Sequence, residues 1–272
     1  MTDPDRPPNA TAARGAIDHD AIAGQLAAAY GGPTIEPLTT AYPGLGIADA
    51  YSIQQCQTER RLTAGAIISG FKIGLTSAAM QEQLQVDQPD YGHLFTDMTH
   101  AADAPIATSV FLQPRAEPEI ALVLGAPLRG PGISVADVLT ATAYAIPAIE
   151  IIDSRITAWR IGLADTIADN ASCGGVVLGT TCTPIGGIDL SLLGCILRRN
   201  GRIAHTGAGA AVMGSPLFAA TWLANTLTAR GVELSAGHVI LTGSLTAAIA
   251  VRAGDAVTAT FDRLGSVTAV FD

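Results

Sequence analysis

Charge is scarce in this chain. Only 14% of its 272 residues are Asp, Glu, Lys or Arg, against 49% hydrophobic residues. Cations are the scarcer half, 15 Lys and Arg against 24 Asp and Glu, giving a formal net charge of −9. That balance leaves no material for the clustered basic surface of a nucleic-acid binder. No apolar run approaches the roughly 18 residues that suggest a membrane span. The four cysteines, Cys56, Cys173, Cys182 and Cys195, form no CxxC pair, and buried free thiols are expected rather than disulfides or a metal site. The five histidines show no HxxxH spacing suited to zinc. GxSxG and the P-loop signature are absent, and the glycine-rich TGAGAAVMG lacks both GxGxxG spacing and an acidic partner. The opening residues MTDPDRPPNATAARGA are polar and proline-rich with no signal-peptide apolar segment, so residues 1–15 read as a disordered tail. The expectation is a soluble, cytoplasmic protein that contacts neither nucleic acid nor membrane.

The abundant apolar residues are arranged with clear periods. IDHDAIAGQLAAAY has helical spacing and stops at Gly31-Gly32, and ADAYSIQQCQTERRLTA predicts a second helix ending at Gly65. IISGFKIGL reads as a strand, and Thr76 or Ser77 is placed to cap a short helix through Leu84. VDQPDYG reads as a turn-rich loop, with Pro89 and Gly92 as punctuation. Ser134 and Asp137 form a capping-box pattern for a helix over 135–143, and AIPAIEII follows as a buried strand. From residue 174 strands dominate: GGVVLG, a hairpin around Asn200-Gly201, then HVILTG, AAIAV, AVTATF and SVTAVF, interrupted by a helix from Ser215-Pro216. The pattern predicts a mixed α/β or α+β fold. It is divided into a helical N-terminal segment over 16–65, not an independently folded unit, and a strand-rich domain over 66–272.

Within FLQPRAEPEIALVLG, residues 111–125, Glu117 and Glu119 flank Pro118 at the mouth of an apolar strand. A period of two points both carboxylates to one face. Glu150 sits between Ile149 and Ile151 in a second apolar strand. An ionised carboxylate buried without a partner costs several kcal/mol, and converging carboxylates raise one another's pKa. Either these glutamates lie at strand ends facing solvent or arginines, with Arg115 and Arg155 nearby in sequence, or a divalent cation gathers them. Three oxygen ligands with remaining positions open to water suit Mg²⁺ or Mn²⁺.

Lys72 in GFKIGLT has apolar or glycine neighbours, so its ammonium either snorkels outward or sits in a cleft. Beside a metal, desolvation and like charge would lower its pKa and suit it to proton transfer near neutral pH. Asp87 and Asp90 read first as turn formers, and Asp90 alternatively as a loop carboxylate reaching a site. Asp169, Asn170 and Ser172 form a polar cluster that is either a structural turn or a clamp for a substrate carboxylate. His93 and His205 are candidate acid–base groups or packed and surface histidines.

GFKIGLTS, VDQPDYGHLF, LQPRAEPEIALVLG, AIPAIEIIDSRI, DTIADNASCGG, GAGAAVMGSP and HVILTGSL occur in one order. Together they resemble the 2-keto-4-pentenoate (2-hydroxypenta-2,4-dienoate) hydratases, relatives of 4-oxalocrotonate decarboxylase and fumarylacetoacetate hydrolase. The resemblance runs from about residue 17 to the C-terminus. It implies a fumarylacetoacetase-like fold with a curved mixed sheet. It also implies a Mg²⁺ or Mn²⁺ ion on Glu117, Glu119 and Glu150, with Lys72 and Asp90 as catalytic groups and Ser172, with Lys72, at the substrate. A homo-oligomer, pentamer or decamer, is implied, as is association with the pathway decarboxylase or aldolase. The implied activity is hydration of a 2-hydroxydienoate in meta-cleavage catabolism of aromatic compounds. The rivals are 4-oxalocrotonate (2-oxohex-3-enedioate) decarboxylation, against which the run WRIGLADTIADNASCG speaks, and an inactive scaffold subunit. The full set of Lys72 and three glutamates argues against the scaffold.

Overall fold

The computed structural model describes residues 17–78, 81–82, 86–102 and 104–272. The tail expected over 1–15 lies outside these residues, as does the end of the short helix expected to run through Leu84.

Three helices come first: α1 (His19–Ala29), the single turn α2 (Leu38–Ala41) and α3 (Ile47–Thr63). Asp18 caps α1 by accepting from the Ala21 N–H. Ile22, Leu26, Ala50 and Ile53 turn inward to join the main core. Later helices are α4 (Val135–Ala141), α5 (Leu163–Ala168) and α6 (Pro216–Thr228). The capping box of Ser134 and Asp137 is present, and α4 ends two residues before the expected position because Thr142 already starts a strand.

Two sheets form the body. The strands of the larger are β1 (Ile68–Gly74), β2 (Asp90–Phe95), β3 (Thr99–His100), β4 (Arg115–Leu124), β5 (Thr142–Ile152), β6 (Cys173–Leu178), β9 (Val239–Ser244) and β10 (Ile249–Ala250). Their order is β2-β1-β9-β4-β5-β6-β3, with β10 added beside β4. β1 and β9 run parallel, as do β3 and β6, and the other pairings are antiparallel, so the sheet is mixed. The smaller sheet is antiparallel in the order β12-β11-β7-β8, from β7 (Gly194–Arg199), β8 (Arg202–Ala208), β11 (Ala256–Phe261) and β12 (Gly265–Val270). Asn200 and Gly201 close the β7–β8 hairpin with φ of 53° and 76°, as a type I′ turn requires.

This is the mixed α/β fold with a curled sheet and a helical N-terminal segment that the sequence predicts. DYG departs from expectation: it opens β2 instead of forming a turn, and Asp90 pairs with Gly74 across β1. The pairing of β2 with β1 overrides the turn preference of Asp and Gly. Side chains from the two faces of the larger sheet enter different clusters. Ile120, Leu122, Leu124, Ile149 and Ile151 belong to the main core, together with Val257, Ala259 and Phe261 of the smaller sheet. Ala121, Val123, Ile146, Ala148, Val176 and Leu241 form a second, smaller cluster. Among the described residues no helix is long and apolar enough to cross a membrane. All four cysteines are free thiols, but only Cys173 and Cys195 are buried; Cys182 is exposed.

Candidate active site

The side-chain alternation that places Ala121 and Val123 in the smaller cluster also places Arg115, Glu117 and Glu119 on that face of β4. On β5 the same alternation sets Glu150 with Ile146 and Ala148. Glu117 and Glu150 are direct partners in the register. Glu117, Glu119 and Glu150 each offer a carboxylate oxygen, all within 4.8 Å of one another. Glu119 and Glu150 are fully buried, at 0% exposure, and Glu117 is half-buried. Glu119 Oε2 accepts the Gly243 N–H at 2.7 Å. Its Oε1 and both oxygens of Glu150 have no hydrogen-bond partner among the described residues.

Burial, then the facing charge of Glu150, pushes the Glu117 carboxyl up to about 7. Burial, with Glu150 and Glu117 beside it, holds Glu119 well above the usual carboxylate range. Like charges this close persist in a folded interior only with compensation. Buried, unsatisfied oxygens converging on one position fit a hard divalent cation such as Mg²⁺ or Mn²⁺, with Glu117, Glu119 and Glu150 as its holders.

Lys72, on β1, reaches the same place from across the curled sheet. Its Nζ donates to the Ala171 carbonyl at 2.9 Å and lies 3.2 Å from Glu150 Oε1. Burial alone would lower its pKa, but the carboxylates of Glu150, Asp90 and Glu117 outweigh burial and hold the ammonium above its usual range. The lowering expected for a lysine beside a metal is therefore not the behaviour of the bare protein site. Asp90 is 1% exposed, and its Oδ1 lacks a hydrogen-bond partner among the described residues. Burial pushes its pKa up, while Lys72 pulls it down. A Cβ on Gly74 would fall onto Asp90 Oδ1 and come within 3.4 Å of Lys72 Nζ, so glycine there makes room for the pair.

The segment after α5 completes the site. Asn170, Ala171 and Ser172 all adopt left-handed φ, at 52°, 50° and 53°, without a glycine among them. Such a run is strained and persists only where its surroundings impose it. Arg155 and Asp169, exposed by 1% and 0%, form a buried ion pair at its start. Asp169 Oδ2 also accepts from the Ser154 hydroxyl and the Arg155 N–H, and Arg155 donates to the Asp169 and Cys173 carbonyls. Asn170 grips β2 by accepting the His93 N–H and donating to the His93 carbonyl. From α3, Gln54 donates to the carbonyls of Tyr91 and Ile167, and Gln57 to that of Ala168. Ser172, 3% exposed, has its hydroxyl 3.3 Å from that of Thr166.

Lys72, Asp90, Glu117, Glu119 and Glu150 thus come together, and Ser172 sits on the strained segment whose Ala171 carbonyl receives the ammonium. Arg155 does not neutralise the glutamates, because it is committed to Asp169. Asp169 and Asn170 are consumed by structural contacts, whereas the Ser172 hydroxyl meets, among the described residues, only that of Thr166. His93 is a packed histidine: it lies among Phe71, Tyr91 and Phe95, and burial lowers its pKa to about 4. Gly74, Thr166 and Gly243 fall within the recurring motifs GFKIGLTS, DTIADNASCGG and HVILTGSL, but their contacts arise from long-range pairing that local sequence does not show.

Residues 71–271 match the family model of the fumarylacetoacetate (FAA) hydrolase C-terminal domain. The chain belongs to this family. A 2-keto-4-pentenoate hydratase of Paraburkholderia xenovorans is 45% identical over 241 residues, which span 89% of this chain and 90% of the relative. A 2-hydroxyhexa-2,4-dienoate hydratase of Comamonas testosteroni is 41% identical over 240 residues, 88% of this chain and 91% of the relative. Among solved structures, a 4-oxalocrotonate decarboxylase of Pseudomonas putida, complexed with magnesium and adipate, superposes with a TM-score of 0.90 at 37% identity. That match covers 93% of this chain and 97% of the decarboxylase.

Proposed function

We propose that this chain is a divalent-metal-dependent hydro-lyase that adds water to 2-hydroxypenta-2,4-dienoate, giving 4-hydroxy-2-oxopentanoate in meta-cleavage catabolism of aromatic compounds. The observation that carries the reading is the convergence of three carboxylates, with oxygens of Glu119 and Glu150 lacking hydrogen-bond partners, beside the buried side chains of Lys72 and Asp90. Relatives named as hydratases, similar over nearly the whole chain, support the same reaction.

In this reading Glu117, Glu119 and Glu150 hold Mg²⁺ or Mn²⁺, one ion per subunit. When bound, the ion supplies Lewis acidity toward negative charge at the substrate's C2 oxygen. Ketonisation transfers the C2 hydroxyl proton's equivalent to C5 and leaves a C3–C4 double bond conjugated to the new carbonyl. Water then adds its oxygen at C4 and a proton at C3, so no atom is left over. Lys72 and Asp90 move these protons: Lys72 holds one firmly above its usual range, and Asp90 presents a buried oxygen free to accept. Ser172, with Lys72, positions the substrate at its carboxylate end. The burial of Lys72, Asp90, Glu119 and Glu150 excludes bulk water, which strengthens every charge interaction inside.

The purified protein with Mg²⁺ should remove the dienol ultraviolet absorbance of 2-hydroxypenta-2,4-dienoate and form the hydroxy-oxo acid. The second reading is 4-oxalocrotonate (2-oxohex-3-enedioate) decarboxylation, favoured by the close superposition on that decarboxylase. CO₂ release from 2-oxohex-3-enedioate without hydration of the dienoate would replace the first reading with the second. The reading extends to a cytoplasmic homo-oligomer, pentamer or decamer, that associates with the pathway decarboxylase or aldolase. Light scattering on a sizing column tests the assembly.

A further inference from the structure

Arg115 lies two residues before Glu117 on β4, about 6–7 Å along an extended strand, and on the same face. Across the sheet it aligns with Ile152 on β5, which in turn aligns with Cys173, the residue after Ser172. The half-buried guanidinium makes no ion pair or hydrogen bond among the described residues. Its contact is with the ring of Trp159, 4.5 Å from the centroid. That ring is held in place deliberately: Ala158 and Trp159 both adopt left-handed φ, 55° and 57°, and the indole N–H donates to the Gln113 carbonyl at 3.1 Å. A bulky residue in this conformation is a strained feature of the kind that gathers at binding sites.

The charges of the site show what is missing. The three glutamates alone match the charge of Lys72 and one divalent cation, and no cation remains to meet the negative charge of an arriving carboxylate. Arg115 shares the Glu117 face of β4, one pleat from the ligand cluster, so its charge stands at the edge of that cluster. Its planar donor fork matches a carboxylate, and stacking on an indole orients the fork while leaving its edge free.

We propose that Arg115, oriented by Trp159, is a substrate-binding residue that pairs with the carboxylate of the 2-oxo or 2-hydroxydienoic acid at the metal site. This rests on the hydratase reading. It adds the counter-charge and makes Trp159 a positioning residue.

Calorimetry on the Mg²⁺-loaded protein tests it with pyruvate, which carries the substrate's C1 and C2 atoms. Arg115→Met should weaken pyruvate binding at least tenfold and change Mg²⁺ affinity less than twofold. In turnover the same variant should raise KM at least tenfold with kcat within threefold, and Arg115→Lys should recover part of the loss. Trp159→Leu should raise KM in the same direction by a smaller factor. Should Arg115→Met fail to fold, Arg115→Gln takes its place in each measurement. Wild-type pyruvate affinity and KM in the folded variant would overturn the proposal, as would a loss of Mg²⁺ affinity matching the loss of pyruvate. A wild-type protein that binds pyruvate through Arg115 but does not hydrate the dienoate would defeat the hydratase reading and leave this assignment standing.

Discussion

Glu117 on β4 stands directly opposite Glu150 on β5, two carboxylates paired across an antiparallel ladder where like charges are ordinarily destabilising. Glu119, one pleat further along the same face, makes the repulsion threefold. A cation at their meeting point would convert this liability into affinity.

Exchanging Glu119 for glutamine separates the two sides of that relationship. In EDTA, the Glu119→Gln protein should melt about 2–4 °C higher than wild type, corresponding to ~1 kcal/mol of relieved repulsion. Adding Mg²⁺ should raise the wild-type melting temperature and leave the variant unmoved. A variant that is destabilised in EDTA and still stabilised by Mg²⁺ would contradict the assignment of Glu119 as a ligand.

Lys72→Met should abolish dienoate hydration without lowering metal affinity, since removing an ammonium 3.2 Å from Glu150 takes a positive charge away from the cation's own position. Turnover at the wild-type rate would remove Lys72 from the mechanism.

Gly74→Ala probes the Lys72–Asp90 pair without touching either charge. The new methyl falls on Asp90 Oδ1, and the carboxylate must swing away. A drop in kcat of at least tenfold is expected, with far-ultraviolet circular dichroism and Mg²⁺ affinity close to wild type. Unchanged kcat would mean that Asp90 has no role in proton transfer.

His93 sets an acid limb on stability. Its folded pKa, lowered to about 4 by burial, lies below the ordinary value of 6.5, so between these values the unfolded chain binds the extra proton. Stability is therefore complete above pH 6.5 and is lost as pH falls toward 4, by about 3 kcal/mol over the window. In urea titrations His93→Phe should flatten this limb. An equally steep loss in the variant would assign the limb to other groups.

Asp169→Asn leaves the Arg155 charge buried and unpaired, which costs about 3–5 kcal/mol. Asp262→Asn, at the exposed pair with Arg263, should leave the denaturation midpoint unchanged. Equal effects from the two substitutions would show that the buried pair contributes nothing special.

Period and punctuation made much of this molecule legible in advance. The alternation in RAEPEIALVL placed Glu117 and Glu119 on one face, Asn200-Gly201 marked a hairpin, and Ser134 with Asp137 marked a helix start. Asp, Pro and Gly signal a turn at VDQPDYG locally, whereas here the edge of β1 recruits Asp90 into a strand. Arg155 looked like a neutraliser of glutamates only by closeness in sequence; its partner Asp169 becomes visible once α5 folds back. Contacts such as Gly243 to Glu119 join residues 124 positions apart, and no local pattern encodes them.

The ammonium of Lys72 is held by the Ala171 backbone carbonyl, at the centre of three left-handed residues. Side-chain truncation anywhere in this triplet leaves that acceptor atom in the chain, so alanine scanning is blind to one of the tightest holds on Lys72. Only a change of backbone path moves it. Substitutions to glycine, which relax the strained φ, or to proline, whose ring cannot adopt it, are the perturbations that reach this hold.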